Sequence, residues 1–451
     1  MKKILFTFTF LLATLTGAFS YTNDETQGRL VIKQLADMNT PRISHQIMET
    51  EDGIAVFGGH TTGFAMTMTA ERYNRETNSW TQMTMPNYHD YSGSIILDDG
   101  QLLIMGGMSS NSGVGASNKC DYYDPKTNSF TTAANLTVPR SMMKADRTES
   151  GKIYFMGCWY NSSYSVECYD QETKTFSKAA DGFSAFMPFV FAMRGERVVV
   201  AYENRLLLVE NGTGTDVESD LFDEYTILKP WHEVHMKDYK LADGSAVVVA
   251  RNNNKEAALL RIYDDSTKGI QVEKIVDLPM TLPNNANTPL AYETEATRIF
   301  CDNAAKKIYM MCRVDGDPRN PGIVEYAYAS TGKLTGGSTT VYAPDKRLDL
   351  YVIDGAWLRL ADGTFISTGG NTSNDSRANF NAHAATYAYT LTKGQKGDAN
   401  GDGSVDVADI ATIITIMASG AEGDSKAFDV NSDGVIDVAD IAAIITIMAG
   451  Q

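Results

Sequence analysis

Two acidic segments in the last part of the chain carry side chains suited to binding a hard cation. Oxygen-bearing residues occupy positions 1, 3, 5, 9 and 12 of each twelve-residue segment, and position 6 is a glycine that permits a sharp turn. With the backbone carbonyl of position 7 included, the candidate ligands are Asp398, Asn400, Asp402, Ser404, Asp406 and Asp409, then Asp429, Asn431, Asp433, Val435, Asp437 and Asp440. This spacing predicts two bound Ca²⁺ ions, because an acidic turn without a ligand would not repeat the same pattern.

A short apolar helix is predicted directly after each acidic loop. Apolar residues recur at helical spacing at Ile410, Ile413, Ile414 and Met417, and again at Ile441, Ile444, Ile445 and Met448. Each copy within residues 396–451 is therefore one loop followed by one helix. This unit resembles the type I dockerin family, whose members bind two calcium ions and dock their parent protein onto cohesin modules.

The dockerin resemblance implies a cohesin-like or other docking protein as the partner. In that family, a hydroxyl residue and a small residue often precede position 12 and select the cohesin. The corresponding positions here are Val407 and Ala408 in the first copy, and Val438 and Ala439 in the second. The predicted partner-binding residues are thus apolar, which departs from the family pattern.

The charge of this segment predicts that it folds only with calcium. Residues 396–451 contain nine Asp and one Glu against two Lys, a net charge of −8 out of −17 for the whole chain. Clustered carboxylates repel one another without a counter-ion, and fewer than about sixty residues bury little core. Metal binding and folding should therefore be one event.

The start of the chain is predicted to be a signal peptide. Lys2 and Lys3 precede an apolar run, and small residues at Ala18 and Ser20 suit cleavage, so residues 1–20 are expected to be removed. No later segment has the roughly eighteen apolar residues needed to span a bilayer. We expect a secreted protein, extracellular or at the cell surface. The excess of 56 acidic over 39 basic residues argues against nucleic acid and anionic membranes as partners.

The five cysteines form neither a metal-binding pattern nor a dense disulfide framework. Cys158 and Cys168 flank a short predicted loop and could pair. Buried, inert thiols are the expected state of most of the cysteines.

The body of the chain is an internal repeat. A tyrosine followed by Asn or Asp, with threonine four residues after the tyrosine, recurs at Tyr73, Tyr123, Tyr169 and Tyr263. Strand-like runs end in glycine at residues 58–59, 106–107, 157 and 369–370. Seven tight turns between strand patterns, the first at residues 52–53 and the last at 362–363, predict seven four-stranded units.

These units resemble the kelch repeat, which implies an all-β fold, a β-propeller of the galactose oxidase-like type over residues 27–393. Seven blades are expected, and six are possible because residues 182–225 and 281–347 match the repeat poorly. Residues 29–35 are predicted to form an outer strand that completes the last blade and closes the ring. The glycine pairs are expected to let strands turn close to a neighbouring blade, and the aromatic residues to fill the space between blades.

The longest polar loops are predicted to lie on one face of the propeller, which is therefore the expected binding face. The candidate ligand-binding residues on this face are His60, Tyr88, His89, Trp159, Tyr160, Trp231, His232, Arg377, Phe380 and His383. Aromatic side chains among Asn and Ser suit stacking on sugar rings. Together with the dockerin resemblance, this composition predicts a glycan ligand in a polysaccharide-utilisation context.

Two other classes of function remain open. The propeller could be a glycan-active enzyme, either a hydrolase or a copper oxidase, or it could bind a protein without catalysis. Galactose oxidase-like propellers hold copper with two tyrosines and two histidines. This chain has six histidines, and the only close pair, His232 and His235, would point to opposite faces of a strand. A hydrolase would need two facing carboxylates, which the sequence does not pair. No catalytic residue is assigned, and enzyme activity stays uncertain, with a binding role favoured.

Overall fold

The computed structural model describes residues 28–111, 115–157, 164–185, 187–230, 235–281, 298–314, 319–329, 332–352, 355–372, 381–393, 396–400, 404–419, 428–431, 433 and 435–450. The description that follows concerns those residues.

Seven four-stranded antiparallel units follow one another along the chain after the N-terminal strand β1 (Gly28–Gln34). Blade 1 contains β2 (Gln46–Thr50), β3 (Gly53–Phe57), the hairpin strands β4 (His60–Thr61) and β5 (Ala65–Met66), β6 (Thr69–Asn74) and β7 (Ser79–Thr84). Blade 2 contains β8 (Gly93–Ile96), β9 (Leu102–Met105), β10 (Cys120–Asp124) and β11 (Ser129–Thr132). Blade 3 contains β12 (Lys144–Arg147), β13 (Ile153–Met156), β14 (Ser165–Asp170) and β15 (Thr175–Asp181).

The second half of the ring is built in the same way. Blade 4 contains β16 (Phe189–Ala192), β17 (Val198–Tyr202), β18 (Arg205–Glu210) and β19 (Thr213–Val217). Blade 5 contains β20 (Tyr225–Ile227), β21 (Ala246–Asn252), β22 (Glu256–Asp265) and β23 (Gly269–Thr281). Blade 6 contains β24 (Ile299–Asp302), β25 (Lys307–Arg313), β26 (Pro321–Ala327) and β27 (Ser338–Pro344). Blade 7 contains β28 (Ala356–Arg359), β29 (Phe365–Thr368) and β30 (Thr386–Lys393), with β1 as its fourth strand. The predicted all-β propeller is confirmed, with seven blades rather than six.

The N-terminal strand closes the ring. β1 pairs antiparallel with β30 from Gly28↔Lys393 to Gln34↔Tyr387, and its first residues also pair in parallel with β27 of blade 6. Pairing β1 removes an otherwise open sheet edge and ties the two ends of the propeller together by backbone hydrogen bonds. The sequence predicted this closing strand at residues 29–35, one residue further along than observed.

The glycine pairs permit close approach between blades, as predicted. Gly59 N donates to the His89 carbonyl of the next blade at 2.9 Å, and Gly370 N donates to the Arg42 carbonyl at 3.1 Å. A Cβ on Gly58, whose φ is +66°, would lie 2.3 Å from the His89 carbonyl oxygen. A side chain at this position would therefore force neighbouring blades apart.

Aromatic residues pack between blades and stabilise the repeated turns. Phe57 of blade 1 contacts Tyr123 of blade 2 with ring centroids 4.7 Å apart. Tyr73 donates its hydroxyl to Asn78 Oδ1, and Tyr123 donates to Asn128 Oδ1, each at 2.8 Å. Both asparagines have positive φ, so the repeated tyrosine holds a left-handed turn residue in place. Cys120, Cys168 and Cys301 form no disulfide with a described residue, and Cys158, the predicted partner of Cys168, lies outside the described residues.

An insertion interrupts the first strand of blade 5. β20 pairs with the far end of β21 at Tyr225↔Asn252, and the path rejoins β21 only at Lys240↔Ala246. In between, the 3-10 turn Met236–Tyr239 contacts β12, β16 and β24, the first strands of blades 3, 4 and 6. First strands line the central channel of a propeller, so this segment, the axial insertion, occupies the channel. The sequence placed Trp231 and His232 on the loop face, whereas the nearby His235 is buried and its Nε2 lies 2.8 Å from the Ile47 carbonyl of blade 1.

The last part of the chain forms two α-helices, α1 (Val407–Ser419) and α2 (Val438–Ala449), each preceded by an acidic loop. Their shared core contains Val405, Ile413, Val430 and Ile444. The predicted order of loop then helix is confirmed in both copies. None of the helices within the described residues is long and apolar enough to cross a membrane.

Candidate functional site

The aspartates at position 12 hold the two acidic loops closed. Asp409 Oδ1 accepts from Asn400 N at 2.9 Å, and its Oδ2 accepts from Asp406 N at 2.8 Å. Asp440 repeats this arrangement with Asn431 N at 3.1 Å and Asp437 N at 2.9 Å. Both carboxylates are fully buried. The backbone of each loop is thus folded around one carboxylate.

The residues of the loops fit a calcium ion. Asp398 and Asp429 at position 1 are buried, and burying carboxylates in a segment with a net charge of −8 is costly, which a bound cation would offset. The side chains at the ligand positions offer oxygen atoms, which Ca²⁺ prefers. No group of three or more His, Cys, Asp or Glu side chains suited to a metal is found in the described part of the chain. The predicted ligands of the first ion also include the Asn400 side chain, the Ser404 carbonyl and the Asp402 side chain. Asp402 lies outside the described residues.

The helices carry a matched pair of exposed apolar surfaces. Val407 is 70 % exposed and Val438 is 69 % exposed, and Ala408 and Ala439 beside them are also exposed. Two turns further along the same face of each helix, Ile414 and Ile445 are 51 % and 52 % exposed. The sequence predicted the first four of these as partner-binding residues and treated the isoleucines only as part of an apolar helix. We call the six residues the apolar pair surface.

On the loop face of the propeller, Tyr88 is presented by its two neighbours in sequence. Asn87 Nδ2 donates to Asp121 Oδ1 at 2.8 Å, and His89 Nε2 lies 3.0 Å from Asp121 Oδ2. Asp121 is fully buried, so it anchors both flanking residues, and the Tyr88 side chain between them is 43 % exposed. Of the four candidate ligand-binding residues that are described, Tyr88 alone has substantial exposed surface.

His60 and His89 are fully buried and therefore present no surface to a ligand in this conformation. His60 instead supports an aromatic cluster: its Nδ1 lies 2.7 Å from Asp90 Oδ1, and its ring stacks on Phe64 with centroids 4.8 Å apart. Burial raises the pKa of Asp90, and His60 opposes this shift. Phe64 is half-buried at the tip of the β4–β5 hairpin and packs, with Met66, on a buried cluster from neighbouring loops: Tyr91, Met108, Met142 and Met187. We call these six residues the loop-face shelf.

His383 is also buried and serves its own loop. Its Nδ1 accepts from Ala385 N at 3.2 Å, so its Nε2 carries the proton donated to the Tyr351 carbonyl at 2.7 Å. Burial lowers the pKa of His383. The remaining candidates lie outside the described residues: Trp159, Tyr160, Trp231, His232, Arg377 and Phe380.

Comparison with known proteins agrees with both parts of the chain. Residues 396–448 match the type I dockerin domain, and residues 94–137 match the Kelch motif. The chain joins a kelch-repeat β-propeller to a type I dockerin domain. Type I dockerin domains generally bind calcium, are typical of extracellular cellulosome-type proteins and imply a cohesin-type partner.

Two curated relatives of the kelch propeller match over short segments. Alpha-scruin of Limulus polyphemus is 26 % identical over 129 residues, which are 28 % of this chain and 14 % of scruin. An F-box/kelch-repeat protein of Arabidopsis thaliana is 30 % identical over 125 residues, 28 % of this chain and 33 % of that protein. The matches thus span well under two thirds of either relative.

A solved structure shares the fold of the kelch propeller. It is a fungal alcohol oxidase of the AA5 family in complex with copper, with a TM-score of 0.54 and 15 % identity. The alignment covers 79 % of this chain and 76 % of the oxidase.

Inside the kelch propeller, a buried ion pair recurs that sequence reasoning missed. In blade 1, Arg42 Nη2 donates to Glu71 Oε1 at 2.7 Å, and in blade 3 Arg140 Nε donates to Glu167 Oε1 at 2.6 Å. His89 and Asp121 take these places in blade 2. His89 Nδ1 also faces the Gly106 carbonyl, so both acceptors are satisfied only when both ring nitrogens carry a proton. The sequence signal for this ion pair is a basic residue four positions before the first strand of a blade, together with an acidic residue in the third strand. It becomes visible only when the sequences of the blades are aligned.

Proposed function

We propose that this chain is a secreted two-domain protein whose dockerin domain binds two calcium ions and attaches the propeller to a cohesin-like partner. The duplicated loop carries this proposal. Both position-12 aspartates close their loops with the same pair of hydrogen bonds, which supports two equivalent calcium sites rather than one. Residues 1–20 would direct the chain out of the cytoplasm.

The apolar pair surface is the proposed contact with the docking partner. Valine and isoleucine side chains more than half exposed on two equivalent helix faces form an apolar area that a partner would bury. Burying a valine side chain is worth about 1.5–3 kcal/mol, so losing one at a 70 % exposed position should weaken docking about tenfold.

The docking experiment compares the full chain with Val407→Asp, Val438→Asp and double variants on immobilised cohesin modules, with calcium and with chelator. Docking that needs calcium and is lost in the double variant is expected. Asn254→Asp, in an exposed hairpin turn of the propeller outside the apolar pair surface, is the control for an added charge. Unchanged binding by the double variant would refute the assignment of the surface.

The loop face is the proposed ligand-binding face of the propeller, with a glycan as the ligand. Tyr88 is exposed and Phe64, on the loop-face shelf, is half-exposed, and aromatic faces stack on the apolar faces of sugar rings. The polysaccharide context comes from the dockerin domain. His60, His89 and His383 are proposed to position the loops, and the candidates outside the described residues stay predictions.

A glycan array probed with the full chain tests this proposal. Tyr88→Ala and Phe64→Ala are expected to reduce binding, and Lys126→Ala, in an exposed turn at the opposite end of blade 2, should leave it unchanged. An array without hits, together with a single protein partner in a pull-down, would favour a protein-binding propeller instead.

A copper oxidase is the second candidate, and fold similarity to the fungal alcohol oxidase is its support. Against it, all five described histidines are buried, and each holds one ring nitrogen within hydrogen-bond distance of a protein oxygen. His232 lies outside the described residues. Stoichiometric copper in protein purified from copper-supplemented cells, with oxidation of alcohols, would favour the oxidase over a binding role.

A further inference from the structure

Arg29 connects the two ends of the chain. It lies on β1, the strand that closes the propeller, and its Nη1 donates to the carbonyls of Asp398 at 2.9 Å and Ala399 at 3.0 Å. Its guanidinium also lies 6.0 Å from the ring centroid of Phe428. Asp398 is position 1 of the first calcium loop, and Phe428 directly precedes position 1 of the second. One side chain of the propeller therefore binds the start of the first loop and lies beside the residue that precedes the second.

The contact is partly buried and electrostatically favourable. Burial lowers the pKa of Arg29, and Asp398, Asp345 and Asp409 act in the opposite direction. The two hydrogen bonds use main-chain carbonyls, so they leave carboxylate oxygens available to a cation. Asp345 meanwhile holds β1 itself, because its Oδ1 accepts from Ile32 N at 3.0 Å and its N–H donates to the Leu30 carbonyl at 3.0 Å.

The linker between the propeller and the dockerin domain is short. β30 ends at Lys393, and Gly397 is already buried in the dockerin core. A Cβ on Gly397, whose φ is +95°, would lie 3.0 Å from Val405 and Ile447 side-chain atoms. The dockerin domain is thus held beside β1 both by this short link and by Arg29.

We propose that Arg29 couples calcium binding by the dockerin domain to closure of the propeller. This inference rests on the proposed calcium binding. The carbonyls of Asp398 and Ala399 point to Arg29 only while the first loop is folded, and the proposed ion folds that loop. Calcium therefore strengthens the hold on β1, and an intact β1 strengthens calcium binding. Such coupling is reciprocal, so both effects share one factor.

The tryptophans allow the coupling to be measured in the full chain. Trp80, Trp159, Trp231 and Trp357 all lie in the propeller range, and residues 396–451 contain none. Thermal unfolding followed by tryptophan fluorescence thus reports on the propeller alone. Calcium should raise its unfolding midpoint by about 2 °C or more relative to chelator. Arg29→Ala should abolish that shift and weaken calcium binding, measured by calorimetry, by about fivefold or more.

Lys33→Ala is the matched control, since it removes a positive charge from an exposed position of the same strand. It should keep the calcium-induced shift. An equal shift in the Arg29→Ala and parent chains, or no shift in a parent chain that binds calcium, would overturn the coupling and leave the proposed calcium sites standing. A parent chain that binds no calcium would overturn both.

Discussion

Asp409→Asn tests whether the position-12 carboxylate organises the first calcium loop. The substitution preserves size and removes one charge. Both oxygens of Asp409 accept from backbone N–H groups, Asn400 N at 2.9 Å and Asp406 N at 2.8 Å, in a fully buried position. An asparagine can accept at only one of these points and would direct an NH₂ group at the other N–H. Leaving a buried donor unsatisfied costs about 1–3 kcal/mol, which corresponds to about 5- to 150-fold in affinity.

Isothermal titration of the full chain with Ca²⁺ measures this loss. Asp409→Asn should weaken one of two sites by at least that factor, and Asp440→Asn should do the same to the other. Asp406→Asn carries the same change in charge, but Asp406 is exposed and needs one oxygen only, which accepts from Ala408 N at 2.7 Å. It should therefore cost less. Equal losses in Asp409→Asn and Asp406→Asn would show that charge alone matters and that the hydrogen-bonded frame does not.

Three further predictions concern the propeller. Glu167→Ala leaves Arg140 buried without its partner and should destabilise the fold by about 3–5 kcal/mol in denaturant unfolding, whereas Asp362→Ala, in the exposed pair with Arg75, should cost at most about 1 kcal/mol. Gly58→Ala places a Cβ 2.3 Å from the His89 carbonyl oxygen and should lower the unfolding midpoint, while Gly63→Ala, also at positive φ but in open space, should lower it less. Burial lowers the pKa of His235 to about 4, so between pH 6.5 and 4 the unfolded chain binds a proton that the folded chain does not, and stability falls as pH falls. His235→Gln should therefore lose less stability than the parent between pH 7 and 4.5; equal pH profiles would contradict the buried neutral state.

Local chemistry made the repeats predictable from sequence. Positions 1 to 12 of the acidic loops, the glycines at 58–59 and the tyrosines at 73 and 123 act through their own backbone or a neighbour a few residues away, so the spacing alone reveals their role. The closing strand was predictable for another reason: a strand pattern without a unit of its own has to pair with an unfinished blade.

Contacts between distant residues were not predictable in the same way. His60, His89 and His383 looked like exposed loop residues, but their partners Asp90, Asp121 and the Tyr351 carbonyl lie 30 or more residues away. The pairing of Arg42 with Glu71 recurs at different spacings in other blades because loop lengths differ, so no fixed offset marks it. The axial insertion was hidden because its polar residues are typical of a surface loop.

The axial insertion limits what the propeller can do with its central channel. Tyr239 is fully buried against Phe189 and Phe191, with centroids 5.2 and 6.4 Å apart, and His235 reaches across to blade 1. Burial raises the pKa of Asp238 to about 6, so this carboxyl takes up a proton on mild acidification, while His235 resists one. The two groups therefore act in opposite directions on stability between about pH 4 and 6, since a raised acid pKa favours the folded state as pH falls through it. Because the axial insertion occupies part of the channel, the proposed ligand is expected to bind at the outer loops near Tyr88 and Phe64, and not along the axis.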